Sequence, residues 1–190
     1  LVSNGFMSPE CLTALGPLIQ AANVDLKAFR EDFYKIHCQA RLRPVLDNLV
    51  RMRELGWWIE VTTLLIPDCN DGYEELAELA LFIHNHLGPD TPWHISRFRP
   101  GYHMLDRGPT PVESLERAWN IGLEAGLRYV YIGNLPGHPA NNTWCPRCGA
   151  LVIPRQGFAL PSGTVGACLA CGQSVPGIGM PDSAPRAFPT

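Results

Sequence analysis

The apolar positions of the chain alternate between two periods. Short runs rich in β-branched and aromatic residues, alternating or continuous, mark strands: the tail Leu1-Val2-Ser3, then Ala21 to Asp25, Trp57 to Ile66, Trp93 to Phe98 and Arg128 to Ile132. Spacings of three and four mark helices between them. Ser8-Pro9-Glu10 is a helix start, with a hydroxyl cap, Pro at the first helical position and an acid in the first turn. Leu12, Leu15, Leu18 and Ile19 form its predicted buried stripe, broken at Gly16-Pro17. Phe29 to His37 reads as a short amphipathic helix carrying Phe33, Tyr34 and Ile36. A longer helix runs from about Pro44 and stops at Gly56. Tyr73 to His86 and Val112 to Ala125 complete the helical set, and Arg99 to Pro111 is a loop too long to be a mere connection.

Strands and helices that alternate at this length predict a parallel sheet with right-handed crossovers, hence an α/β fold. Half of a parallel β/α barrel fits this order, and an open doubly wound sheet is the alternative. In either, function gathers at the carboxyl ends of the strands. There the sequence places Ser3-Asn4-Gly5, Asp25 to Lys27, Ile66-Pro67-Asp68, Arg97-Phe98-Arg99 and Gly133-Asn134. Asp25 and Lys27 draw the eye, because residues two apart on a strand share a face and a buried strand has no need of charge. They read as a ligand site or, more plainly, as an ion pair on the rim of the sheet. Trp57, Trp58, Trp93 and Trp119 are read as core or helix-packing residues. His94 and His103 lie close to the expected mouth, and His138 lies near a change of composition.

The chain has 190 residues, is 46% hydrophobic and carries a net charge of −3. That is enough to bury a core, and it gives no electrostatic support for a nucleic-acid or membrane partner. No apolar run reaches the roughly 18 residues needed to span a bilayer. Seven cysteines are present, four of them in two C-x-x-C pairs, which favours metal in a reducing, cytoplasmic setting over a disulfide framework.

Those pairs are Cys145-Pro-Arg-Cys148-Gly and Cys168-Leu-Ala-Cys171-Gly, separated by 19 residues. Each tight turn can point two thiolates at one ion, and the glycine after it frees the backbone to turn. Two such knuckles make the zinc-ribbon pattern, with Leu151-Val152-Ile153 as one strand of the ribbon. Cys145, Cys148, Cys168 and Cys171 are therefore expected to hold a structural Zn²⁺, with iron as the other metal such a site takes. A closed four-sulfur site leaves no open position for catalysis. The expected organisation is a β/α part over 1–138, a zinc-ribbon-like part over 139–178 and a disordered tail over 179–190. Cys11, Cys38 and Cys69 stand alone and read as ordinary thiols.

Taken in order, Ser3-Asn4-Gly5-Phe6, Asn23-Val24-Asp25-Leu26-Lys27, Val61-Thr62-Thr63-Leu64-Leu65-Ile66-Pro67, Trp93-His94-Ile95-Ser96-Arg97-Phe98 and Tyr129 to His138, followed by the cysteine ribbon, resemble the later part of a radical SAM enzyme. The resemblance is to the radical SAM protein of the AmmeMemoRadiSam system, akin to pyruvate formate-lyase-activating enzymes. It implies a partial β/α barrel whose mouth holds a 4Fe–4S cluster and S-adenosylmethionine, with reductive cleavage giving a 5′-deoxyadenosyl radical that abstracts hydrogen from a substrate. It implies that Lys27 meets the methionyl carboxylate, that Asp25 holds Lys27 or a cation, and that Asn4 and Thr62 line the mouth. Arg99 stands where activating enzymes often present a His near the adenine. The resemblance also implies an electron donor such as a flavodoxin or ferredoxin and a small-molecule or protein substrate. The three-cysteine cluster motif of that family is not in these 190 residues, and the chain is expected to be the carboxyl-terminal fragment of a longer one, inactive alone.

Two other functions remain open. Lys27 could form a Schiff base in an aldolase-like barrel. Alternatively, the ribbon could dock a non-catalytic module on a partner, although three Arg against one acid from Pro139 onward are too slight a balance for strong phosphate binding to nucleic acid.

Overall fold

A computed structural model describes residues 1–155 and 166–180. Five strands, β1 (Val2–Ser3), β2 (Ala21–Asp25), β3 (Trp58–Leu65), β4 (Trp93–Arg97) and β5 (Val130–Gly133), form one sheet in that spatial order. Every pairing is parallel, from Val2↔Asn23 through Ala21↔Trp58 and Val61↔Trp93 to Trp93↔Val130. Strictly sequential order with crossovers of one hand keeps the helices on one side of the sheet, which is how a barrel is wound. The doubly wound alternative would reverse the strand order part-way, and no such reversal occurs.

The helices are α1 (Pro9–Leu15), α2 (Glu31–Phe33), α3 (Leu42–Glu54), α4 (Tyr73–Phe82) and α5 (Val112–Glu124). Ser8 caps α1 by accepting the Cys11 N–H at 3.3 Å, and Gly16 closes it. Leu12 is buried, but Leu18 lies past the break and is 66% exposed, so the expected stripe stops one turn early. The helix expected over Phe29 to His37 is only one turn of α2, followed by a wider five-residue turn over Tyr34–Cys38. That wider turn rotates Ile36 off the buried stripe and leaves it 69% exposed, while Tyr34 stays inside. A second wide turn, Ile83–Leu87, ends α4 at Gly88.

The helix-facing side of the sheet carries Ala22, Val24, Ile59, Val61, Leu65, Trp93, Ile95, Val130 and Ile132, all in the main core with Val45, Leu49, Met52, Leu76, Leu79, Leu115 and Ile121 from the helices. Each of the larger aliphatic side chains here contributes about 1.5–3 kcal/mol by leaving water. α5 comes unusually close to the sheet at Gly122, where an added Cβ would sit 2.9 Å from Trp93 and from Val130.

After β5 a short 3₁₀ turn (Pro139–Asn141) leads to the antiparallel pair β6 (Thr143–Trp144) and β7 (Leu151–Ile153). The strand expected at Leu151-Val152-Ile153 is β7. Of the tail expected to be disordered, residues 181–190 lie outside the described residues, as do 156–165 between the two knuckles. Among the described residues no helix is long and apolar enough to cross a membrane.

Candidate functional site

The loops at the carboxyl end of the sheet are held by buried polar side chains that reach from neighbouring elements. Asn48 of α3 donates to the Gly5 and Met7 carbonyls at 2.8 and 2.9 Å, fixing the loop after β1. Asn70, 1% exposed, donates to the carbonyls of Lys27 at 2.6 Å and Leu64 at 2.9 Å, and accepts the Ile66 N–H at 2.7 Å. It therefore ties the ends of β2 and β3 together. Thr63 donates to the Leu26 carbonyl, and Thr110 donates to the Leu65 carbonyl while accepting the Phe98 N–H. Gly5 completes the set. Its φ is +72°, and an added Cβ would meet Val24 at 2.9 Å and Val45 at 3.0 Å, so no other residue fits without displacement.

On this pinned rim the alternation of β2 continues past its last residue. Leu26 and Ala28 turn into the core, while Asn23, Asp25 and Lys27 turn to the other, open face. The Lys27 ammonium donates to Asp25 Oδ2 at 2.6 Å, with the two side chains 36% and 30% exposed. The backbone N–H of Lys27 donates to the Tyr34 hydroxyl at 3.1 Å, and burial pushes the Tyr34 phenol well above its usual range. A half-exposed ion pair contributes about 1 kcal/mol or less to stability. The Lys27 backbone is held on both sides, its N–H by Tyr34 and its carbonyl by Asn70.

The open face carries polar side chains on each of β2 to β5. Register puts Asp25, Thr62, His94 and Tyr131 in one row across β2 to β5. Thr62 donates to Asn23 Oδ1 at 2.8 Å. Glu60 receives His94 Nε2 at 2.7 Å and Trp58 Nε1 at 3.3 Å. Burial pushes the Glu60 carboxyl up, but the His94 and Trp58 hydrogen bonds and the charges of His94 and Arg155 outweigh it and hold Glu60 below the usual carboxylate range. His94 stacks on Tyr131 at 5.1 Å and 18°.

Of the residues expected in the mouth, Asp25, Lys27 and Thr62 share this face. Asn4 lies on the same rim, exposed, with its Oδ1 occupied by the Phe6 N–H at 3.0 Å. Arg99 is exposed at the start of the long loop, and among the described residues it has no hydrogen-bond partner; Arg97, two residues earlier, donates to the Thr110 carbonyl at 2.8 Å. That loop is pinned at its far end by Arg107, which donates to the Pro67 carbonyl at 2.9 Å. Trp58 corrects the core reading, since it lies on the open face beside Glu60. Sequence reasoning missed Asn23, Glu60, Asn70 and Tyr131. The period-two signal that found Asp25 and Lys27, carried along Trp58-Ile59-Glu60-Val61-Thr62, would have found Glu60.

The four cysteines of the ribbon converge. Their sulfurs all lie within 4.8 Å of one another, with Cys145 to Cys171 at 3.5 Å and Cys148 to Cys168 at 3.6 Å. A tetrahedral zinc with bonds of about 2.3 Å sets its sulfurs about 3.8 Å apart, so the cluster has the dimensions of a loaded site. The two knuckles share one backbone pattern. Cys145 N–H donates to Ala150 O and Gly149 N–H to Cys145 O; Cys168 N–H donates to Gln173 O and Gly172 N–H to Cys168 O. Gly149 and Gly172 sit at φ 71° and 75°, as the sequence spacing requires. Burial resists ionisation of the Cys145 thiol, but the N–H groups of Cys148 and Arg147 and its neighbouring thiols outweigh it and bring it down to about 6. Cys148, although its sulfur faces the Ala150 N–H, is pushed up to about 12 by the thiols of Cys171, Cys168 and Cys145. One thiolate forms readily and the next is resisted, which is the electrostatics a divalent cation relieves.

The ribbon seats on the amino-end half of the open face. Val175, Val152 and Met180 pack on Tyr129 and Tyr131, and the Tyr131 hydroxyl lies 3.0 Å from Thr143 Oγ1. The two ends of the face are thus different: the amino end is stoppered, and the carboxyl end, with Asp25 and Lys27, is open.

No family model matches the chain. It is 47% identical over 158 residues to the uncharacterized protein MJ0808 of Methanocaldococcus jannaschii, an alignment covering 83% of this chain. The chain spans about half of that relative, 46% of its length. Among solved structures it is similar to a domain of a pyruvate-formate lyase-activating enzyme from Bacteroides vulgatus, with a TM-score of 0.58 and 18% identity, covering 70% of this chain and 79% of that one. The shared feature is the α/β fold with its parallel sheet.

Proposed function

We propose that this chain is part of a radical SAM enzyme, and that Asp25 and Lys27 grip the amino-acid end of S-adenosylmethionine. The observation that carries this reading is the ion pair itself: opposite charges 2.6 Å apart, restrained from both sides, at the open carboxyl end of a sheet with helices on one face only. A compact ammonium suits a carboxylate, and Asp25 both orients Lys27 and offers an acceptor to an ammonium group. Thr62 and Asn23 extend the polar wall beneath. The likeness of fold to an activating-enzyme domain and the ordered motifs of the sequence point the same way.

S-adenosylmethionine, reduced by an iron–sulfur cluster, would supply the radical chemistry; the chain's own residues bind its polar end, orient it and exclude water from the stoppered side. The residues here do not fit the cluster. Among the described residues the group with metal-ligand geometry is the closed four-cysteine ribbon, which has no open position and lies toward the opposite end of the strands from Lys27. The ribbon is proposed to hold a structural zinc, and an electron donor and substrate would meet the enzyme elsewhere.

The Schiff-base alternative fares worse on this geometry. A lysine becomes nucleophilic in a dry, apolar pocket. Lys27 is a third exposed and hydrogen-bonded to a carboxylate. Calorimetric titration of the chain with S-adenosylmethionine tests the proposal. Binding should weaken at least tenfold in Lys27→Ala and Asp25→Asn, and equal affinity in all three proteins would overturn it.

A further inference from the structure

His94 stands on the open face with one nitrogen committed and the other free. Glu60 accepts from Nε2 at 2.7 Å, so whenever the ring is neutral its proton is held there and the lone pair of Nδ1 is presented. Among the described residues Nδ1 has no partner. The row that holds His94 also holds Asp25, two strands away, so the two residues lie about 10 Å apart across the sheet, and the imidazole lines the pocket between the sheet and the ribbon with Glu60, Tyr131, Arg155 and Val175.

What sets the plane of that ring is less direct. Its flat neighbour is Tyr131, and Tyr131 is itself held by the ribbon. The Tyr131 hydroxyl meets Thr143 Oγ1 at 3.0 Å, and Thr143 is 1% exposed and two residues before Cys145. Arg155, just past β7, places its guanidinium 5.3 Å from the Tyr131 ring centre and is anchored by Asn142 Oδ1, which accepts its backbone N–H at 2.8 Å. Val175, four residues after Cys171, packs on the same ring. Both arms of the ribbon therefore close on one aromatic side chain, which in turn supports one imidazole.

We propose that the four-cysteine ribbon is a positioning device: by holding Tyr131 through Thr143, Arg155 and Val175, it fixes the plane and tautomer of His94 in the pocket between the sheet and the ribbon. His94 is then a contact for the polar hydrogen of a bound ligand, and Tyr131 and Thr143 are positioning residues. A ribbon this small takes its shape from its metal, so metal occupancy and the state of His94 are linked. The groups facing His94 are Glu60 from β3, Tyr131 from β5 and Arg155 from the ribbon. The inference rests on the ribbon binding a metal and is independent of what Asp25 and Lys27 hold.

The test is long-range ¹H–¹⁵N correlation of the imidazoles in the zinc-loaded chain at one fixed pH, repeated after chelation. With zinc, His94 should give two well-separated nitrogen resonances, the pattern of a single Nε2–H tautomer. Chelation should collapse them toward one averaged value while His37, His84 and His86, on the helical side, stay put. Thr143→Val should retain zinc and reproduce the collapse, and Glu60→Gln should do so without touching zinc. Uptake of no zinc by the reduced chain removes the premise. Zinc uptake with His94 indifferent to chelation and to Thr143→Val overturns the positioning role alone. Loss of all histidine signals on chelation also overturns it, because the ribbon would then support the whole sheet rather than this residue.

Discussion

Asn70 offers the sharpest test of how the rim is built. It is 1% exposed and satisfies three backbone groups, the carbonyls of Lys27 and Leu64 and the N–H of Ile66, at 2.6 to 2.9 Å. Asn70→Ala orphans all three. Each buried group left unmade costs about 1–3 kcal/mol, and a water entering the vacated space restores part of that, so a net loss of about 3–5 kcal/mol is expected. For a chain of this size that is a fall in melting temperature of about 6–20 °C. Asn70→Asp sharpens the argument because it keeps the shape and changes the chemistry. An ionised carboxylate still accepts from Ile66 but faces two carbonyl oxygens, so it should be at least as damaging at pH 7. Burial raises the folded-state pKa of that new acid above its unfolded value near 4. Its stability relative to wild type should therefore be low above the folded pKa and recover as pH falls toward the unfolded one. Urea unfolding followed by circular dichroism between pH 4.5 and 7.5 reads both effects. If Asn70→Ala lies within 1 kcal/mol of wild type, or Asn70→Asp shows no acid-side recovery, Asn70 is not the clamp described.

Three further outcomes are expected. Gly5→Ala should destabilise by about 2–4 kcal/mol in the same assay, combining a left-handed backbone with a 2.9 Å contact on Val24, and trimming Val24 to Ala should relieve only the steric part. Glu60, held below its ordinary range in the folded state, contributes stability that is present above its unfolded pKa and lost as pH falls through the folded one. The gap between wild type and Glu60→Gln should thus narrow on acidification below about pH 4.5 in urea titrations. Metal analysis should return one zinc per chain, X-ray absorption should place four sulfurs near 2.3 Å, and Cys145→Ser should abolish binding while leaving the sheet's far-ultraviolet signal largely in place.

Much of the fold was legible because its main signals are local. Period-two runs with alternating burial, as in Trp58 to Leu65, are imposed by strand geometry, and so is the shared face of Asp25 and Lys27. The cysteine knuckles were legible for the same reason, since four residues and a glycine settle their shape. What could not be read is what depends on two distant segments meeting. Asn70 sits in an ordinary turn, and nothing near it says that its amide will reach Lys27, 43 residues away. Glu60 looks like a solvated strand residue until His94 is placed beside it. The seat of the ribbon on Tyr131 likewise exists only once β5 is the last strand of the sheet. Leu18 and Ile36 failed for a different reason: a helix break and a widened turn changed the period after the stripe had been counted.

The strictly consecutive order of the strands has a bearing on how the chain is made. Each strand pairs with the one immediately before it, about 20 to 40 residues upstream, as Val2↔Asn23 and Ala21↔Trp58 illustrate. A ribosome therefore delivers every strand after its docking edge already exists, and assembly can follow translation without waiting for a distant partner. The process also has a built-in terminus. The outward carbonyls of β5 are taken by Trp119 Nε1 on Val130 and by Asn141 Nδ2 on Ile132, so the last edge to emerge is closed against strays by side chains synthesised on either side of it.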